Sequence, residues 1–89
     1  MLTREEIFRK YKAYYEGKWK PTPKEFEEFR KEVEDHIEGT WRIMNEMVEF
    51  APDLVLKMKK RHNLLVNIAE GLFKRKYPKV KAKVVVWRE

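Results

Sequence analysis

The chain contains no cysteine, no serine and no glutamine among its 89 residues. Without cysteine it can form neither a disulfide nor a thiolate metal site, and a reducing, intracellular compartment is the simpler reading. Without serine or cysteine, no nucleophile–base pair can be assembled unless Thr40, a tyrosine or a lysine is recruited, so the chain is not expected to be an enzyme. Glycine and proline are scarce, at three and four residues, and Gly17, Pro21, Pro23, Pro52 and Pro78 read as punctuation between elements. The longest apolar run is Val84-Val85-Val86-Trp87, far short of the roughly 18 apolar residues a membrane span requires. Arg4, Glu5 and Glu6 interrupt any early hydrophobic region of a secretory signal. These absences lead to the expectation of a soluble cytoplasmic protein with no cofactor and no membrane association.

What the chain does have is charge, at 40% of its residues and a net +6. The charge is sorted in blocks. Residues 1–22 carry +3, residues 23–53 carry −6 and residues 54–89 carry +9. Such segregation sets up a field that steers a small domain toward polyanions or acidic proteins. The dominance of Lys, Glu and Arg also resembles hyperthermophile usage, in which a lysine-rich run is often only a solvated helix face.

The periodicity predicts three helices and one strand in a single domain, residues 1–89. Thr3 and Glu6 have capping-box spacing, and Ile7, Phe8, Tyr11, Tyr14 and Tyr15 recur at helical steps, giving a short helix over about 4–16 that Gly17 stops. Thr22, Pro23 and Glu25 open a second helix over about 23–50. Its apolar stripe is Phe26, Phe29, Val33, Ile37, Thr40/Trp41, Met44 and Met47/Val48. Gly39 is its weak point. Pro52 and Asp53 start a third helix over about 53–76, with Leu54, Met58, Leu65, Ile68/Ala69 and Leu72 as its stripe, flanked by Val55, His62, Val66 and Phe73. Residues 80–87 alternate and are rich in β-branched side chains, the pattern of a strand. The fold class is thus mainly α: a short helix, a long antiparallel helical hairpin, and one C-terminal strand.

A lone strand leaves a row of backbone groups unpaired, and the short first helix leaves one end of the hairpin uncovered. A homodimer repairs both. Trp41, Met44 and Met47 on the hairpin, with Val84, Val86 and Trp87 on the strand, are the expected interface for a second copy or another protein.

The candidate binding residues lie in the basic block: Lys57, Lys59, Lys60, Arg61, Lys74, Arg75, Lys76, Lys79, Lys81 and Lys83. Helical spacing puts Lys59, Lys60, Asn63, Asn67 and Lys74 on the outer face of the third helix, where they would meet the phosphates of DNA or RNA. Tyr77 and Trp87 would add stacking on bases. No helix-turn-helix, zinc-finger, RRM or KH signature accompanies them, so little sequence specificity is expected. The alternative is a protein–protein adaptor that captures a partner through the helical groove and the unpaired strand. A metal site is not expected. His36 and His62 sit at stripe edges near Glu32 and Asp35, but a Glu-x-x-His pair would need glutamate where Val33 stands. Trp19, in a connector between two lysines, is the aromatic least explained by core packing.

Overall fold

Two threonines start the first two helices of the computed structural model, which describes residues 2–80. The helices are α1 (Arg4–Tyr15), α2 (Pro23–Met47) and α3 (Pro52–Phe73), with no strand among the described residues. Apart from Val80, the expected strand at 80–87 lies outside the described residues. The chain divides into two compact units, Met1–His36 and Ile37–Glu89, with the boundary inside α2.

In the first unit the Thr3 hydroxyl accepts the Glu6 N–H at 3.2 Å, and the Glu6 carboxylate accepts the Thr3 N–H at 2.9 Å. Thr22 and Glu25 repeat the exchange at 3.1 and 2.9 Å. Both are complete capping boxes, each satisfying two amides that would otherwise lack a partner at a helix start. The threonine backbone N–H, then its hydroxyl, hold the Glu6 and Glu25 carboxyls below their ordinary pKa. α1 ends where Gly17 takes a φ of 74°. There the Lys18 N–H reaches the Ala13 carbonyl at 2.8 Å and the Gly17 N–H the Tyr14 carbonyl at 3.2 Å. That pair is a Schellman stop, and its left-handed residue is the one a glycine adopts without steric cost.

Ile7, Phe29 and Val33 are buried, and an aromatic cluster adjoins them. The Trp19 ring meets Phe29 edge-on at 5.2 Å, and Tyr14 lies 5.6 Å from Phe26. Trp19 is thus half-buried in packing rather than a bare platform. On α2, Arg30 pairs with Glu27 and, at 2.6 Å, with Glu34.

In the second unit the last part of α2 runs antiparallel to α3. Thr40 bonds His62 at 2.9 Å, and Met44 and Val48 pack with Val55 and Val80. α2 passes through Gly39 without a break. It ends at Met47, three residues earlier than its periodicity predicts, because the Phe50 and Ala51 amides both fold back onto the Met47 carbonyl. α3 also ends early, at Phe73 rather than 76. Lys74 turns left-handed at φ 57°, its N–H on the Glu70 carbonyl.

The buried ridge of α3 differs from the expected stripe. Val55, His62, Leu65, Val66 and Ala69 are buried, whereas Leu54 is 46% exposed. Leu65 and Ala69 are buried as expected, and the ridge widens to take in Val55, His62 and Val66, expected only to flank it, since it must meet both α2 and the chain returning after Lys74. Trp41, expected in the α2 stripe, is 39% exposed, while Phe29, Val33, Ile37, Met44 and Val48 are buried there as expected.

Candidate polyanion-binding face

After Phe73 the chain reverses and is clasped along α3 by side chains. The Glu70 carboxylate accepts the Tyr77 N–H at 3.0 Å, and His62 Nε2 donates to the Pro78 carbonyl at 2.8 Å. Asn63 grips Val80 twice: its Nδ2 donates to the Val80 carbonyl and its Oδ1 accepts the Val80 N–H, both at 3.0 Å. Val80 is 3% exposed, so these bonds satisfy backbone groups that burial would otherwise leave unpaired. Two expectations change. Asn63 is engaged by the returning chain rather than offered to phosphates, and Lys74 sits at the helix cap instead of on a helical face.

The Glu70 carboxyl is held below the ordinary carboxylate range, first by the Tyr77 N–H and further by Lys79 and Lys76. Lys79 also closes an ion pair with it at 3.5 Å. Burial pushes the His62 imidazole below its ordinary value, partly offset by its bond to Pro78.

The outer face of α3 is a stripe at helical spacing: Lys57, Lys60, Arg61, Leu64, Asn67 and Gly71, all exposed. Lys59 is half-buried beside it. Lys57, Lys59, Lys60 and Arg61 close no ion pair among the described residues, whereas Arg30 and Arg42 on α2 are each tied to carboxylates of their own helix, Arg42 to Glu38 at 2.7 Å. Lys74, Arg75, Lys76 and Lys79 are exposed on the returning segment, which the clasp lays back along α3. Lys81, Lys83, Val84, Val86 and Trp87 lie outside the described residues. Met44 is 1% exposed, inside its own chain's cluster with Val48, Val55 and Val80, and Met47 packs against that cluster.

The first unit offers a cleft of about 220 Å³ beside Trp19, lined by Lys10, Glu25, Glu28, Phe29 and Glu32 among others. Its aromatic face is already taken, since Lys10 Nζ sits 4.8 Å from the Trp19 ring centre. No group of three or more His, Cys, Asp or Glu among the described residues is placed to hold a metal ion. No described helix is long and apolar enough to cross a membrane.

The fold is therefore that of a small, mainly helical protein with a cationic helix face. No protein-family model matches the chain, and neither the curated proteins nor the solved structures contain a match.

Proposed function

We propose that this is a non-catalytic nucleic-acid-binding protein that acts as a homodimer and holds the phosphate backbone of DNA or RNA on the outer face of α3. The observation that carries this reading is the set of exposed cations Lys57, Lys60 and Arg61, which no carboxylate neutralises among the described residues. A cation already paired gives up an ion pair on meeting a phosphate; an unpaired one gives up only water and counterions. The returning segment adds the exposed Lys74 and Lys76, and no helix-turn-helix, zinc-finger, RRM or KH signature accompanies the cations. Binding is accordingly to backbone rather than to sequence.

An electrophoretic shift with mixed-sequence duplex and single-stranded DNA and RNA tests it. Affinity should fall steeply between about 50 and 200 mM salt, and reversing Lys57, Lys60 and Arg61 to glutamate should abolish the shift. Those reversals cancel the formal +6 at positions that point away from the buried ridge. Absence of any wild-type shift removes the reading.

A second reading has its own observation. Leu56 and Leu64 stand 48% and 53% exposed among these same cations, and phosphates have no use for leucine. An adaptor that takes an acidic, partly apolar protein segment on this face uses both. Its binding should fall less steeply over the same salt range, because only the charged part of the contact is screened.

A further inference from the structure

Among the described residues of the Ile37–Glu89 unit, one side of the antiparallel hairpin is covered by the returning chain and the other carries exposed apolar side chains. Two helices of the same hand running in opposite directions place the residues that immediately precede core positions on one side of the pair, and those that follow on the other. On the following side, Asn63 and Glu70 come after buried His62 and Ala69, and they hold the backbone of Tyr77 and Val80. On the preceding side, Ile43 comes before Met44, Met47 before Val48, Leu54 before Val55 and Arg61 before His62. Ile43 and Leu54 are 47% and 46% exposed, and Phe50 in the adjoining turn is 75% exposed. Large aliphatic and aromatic side chains gathered on one side of a hairpin mark a contact surface.

Charge decides what covers it. The outer rim on the α2 edge carries Glu46 and that on the α3 edge carries Lys57 and Arg61, none of them ion-paired among the described residues. A uniformly acidic partner is repelled by one rim and a uniformly basic one by the other. A second copy of this chain presents the same side with the signs in complementary order. A two-fold axis parallel to the helices lays α2 of each copy over α3 of the other. Glu46 of one copy then faces Lys57 of the other, level with it in the hairpin register that Thr40–His62 and Val48–Val55 set, while Ile43, Met47 and Phe50 on one copy close against the Leu54 side of the other. We infer that this side of the hairpin is the homodimer interface. The inference rests on the homodimeric reading above; of its expected contacts it keeps Met47 and drops Met44, which is spent inside the chain.

Sedimentation equilibrium up to about 100 µM tests it on the full chain. The wild type should run at twice its 11.0 kDa mass. Ile43→Glu and Leu54→Glu should each raise the dissociation constant by roughly tenfold or more, whereas Leu56→Glu, on the other side of α3, should not. The mutated residues are surface positions in the monomer, so far-UV circular dichroism should be unchanged. Glu46→Lys should loosen the dimer and Glu46→Lys with Lys57→Glu should restore it. A wild-type monomer overturns both the interface and the homodimeric reading. A dimer that survives Ile43→Glu and Leu54→Glu overturns this surface and leaves the homodimer standing. Lys57 serves both readings, so the Glu46→Lys with Lys57→Glu pair reports on the dimer alone, and the nucleic-acid shift is read on the wild type.

Discussion

Among the described residues of the Met1–His36 unit the large apolar side chains left exposed are Tyr14 and Tyr15, each edge-on to another aromatic ring and each ending in a polar hydroxyl. Among the described residues of the Ile37–Glu89 unit they are Trp41, Ile43, Phe50, Leu54, Leu56 and Leu64, all but Trp41 with no polar atom in the side chain. The units also start their helices differently. Thr3 and Thr22 close full capping boxes, whereas Ala51 before α3 makes no side-chain cap and leaves the work to Pro52. The first unit is closed by caps and aromatic packing, with the Leu2 N–H on the Glu32 carboxylate at 3.0 Å joining its two ends. The second draws its order from long-range contacts, Thr40 to His62 and Asn63 to Val80, and presents apolar surface that nothing described covers. Local completeness and exposed apolar surface thus separate within one short chain, and the exposed part is where a partner is to be sought.

The sharpest break in that comparison comes from two adjacent leucines. Leu65 is 1% exposed and Leu64 is 53% exposed. Leu65→Ala should cost about 2–5 kcal/mol, through lost transfer energy and the cavity left behind. Leu64→Ala should change monomer stability by no more than about 0.5 kcal/mol. Urea unfolding at a concentration where the chain is monomeric checks both. Comparable losses at the two positions would mean the ridge of α3 is not the one described.

Next in size is the clasp. Asn63→Leu removes both partners of the buried Val80 backbone and should cost about 1–3 kcal/mol. Amide exchange at Val80 should accelerate while exchange in α1 stays unchanged. Uniform acceleration across both units would show instead that the clasp supports the whole chain. In the first unit, Thr22→Ala should cost about 1 kcal/mol by opening a capping box. Gly39→Ala in the second should stabilise by up to about 1 kcal/mol, since a Cβ there meets nothing within 4 Å and α2 is helical on both sides of it.

The existence and order of the helices were legible in the sequence because caps and the 3.6 period are local signals. Thr3-x-x-Glu6 and Thr22-x-x-Glu25 announce their own starts, and Gly17 its own stop. The ends of α2 and α3 were not legible, because each is set by something distant or uncommon. Lys74 adopts the left-handed conformation that glycine usually marks, and it does so where Glu70, His62 and Asn63 collect the returning backbone. Polar residues within a helix carry no sequence signal of which main-chain group they will hold, so Asn63 read as a surface residue. The same clasp explains the shift of the α3 ridge: Val80 joins Met44, Val48 and Val55, and a helix with core on two sides has no single stripe to find. The exposed cations Lys57, Lys60 and Arg61 were legible as a group because composition alone shows them. Their lack of carboxylate partners was not, since pairing depends on which helix faces which.

The smallest effect concerns pH, and His62 is the group to follow. The Pro78 carbonyl can only accept, so Nε2 carries a proton and Nδ1 of the neutral ring accepts from the Thr40 hydroxyl. If the ring gains a second proton, Nδ1 donates to Thr40, whose own hydroxyl proton turns to the Ile37 carbonyl 3.1 Å away. Both bonds to the ring therefore survive protonation, and what opposes it is burial of the charge, with no carboxylate bonded to the ring to offset it. The folded pKa lies below the ordinary 6.5. The unfolded chain then binds the proton more readily, so this contribution to stability is complete above about pH 6.5 and is lost as pH falls below it. Glu6, Glu25 and Glu70 act in the same direction, but only as pH falls below their ordinary 4.5, so a window from about pH 7.5 to 5 leaves them out, and a His62 variant separates His62 from His36, the chain's other histidine. The melting temperature of the wild type should drop across that window, and that of His62→Gln, which keeps polar atoms near both partners but does not titrate, should drop less. Equal drops in the two proteins would place the titrating group elsewhere.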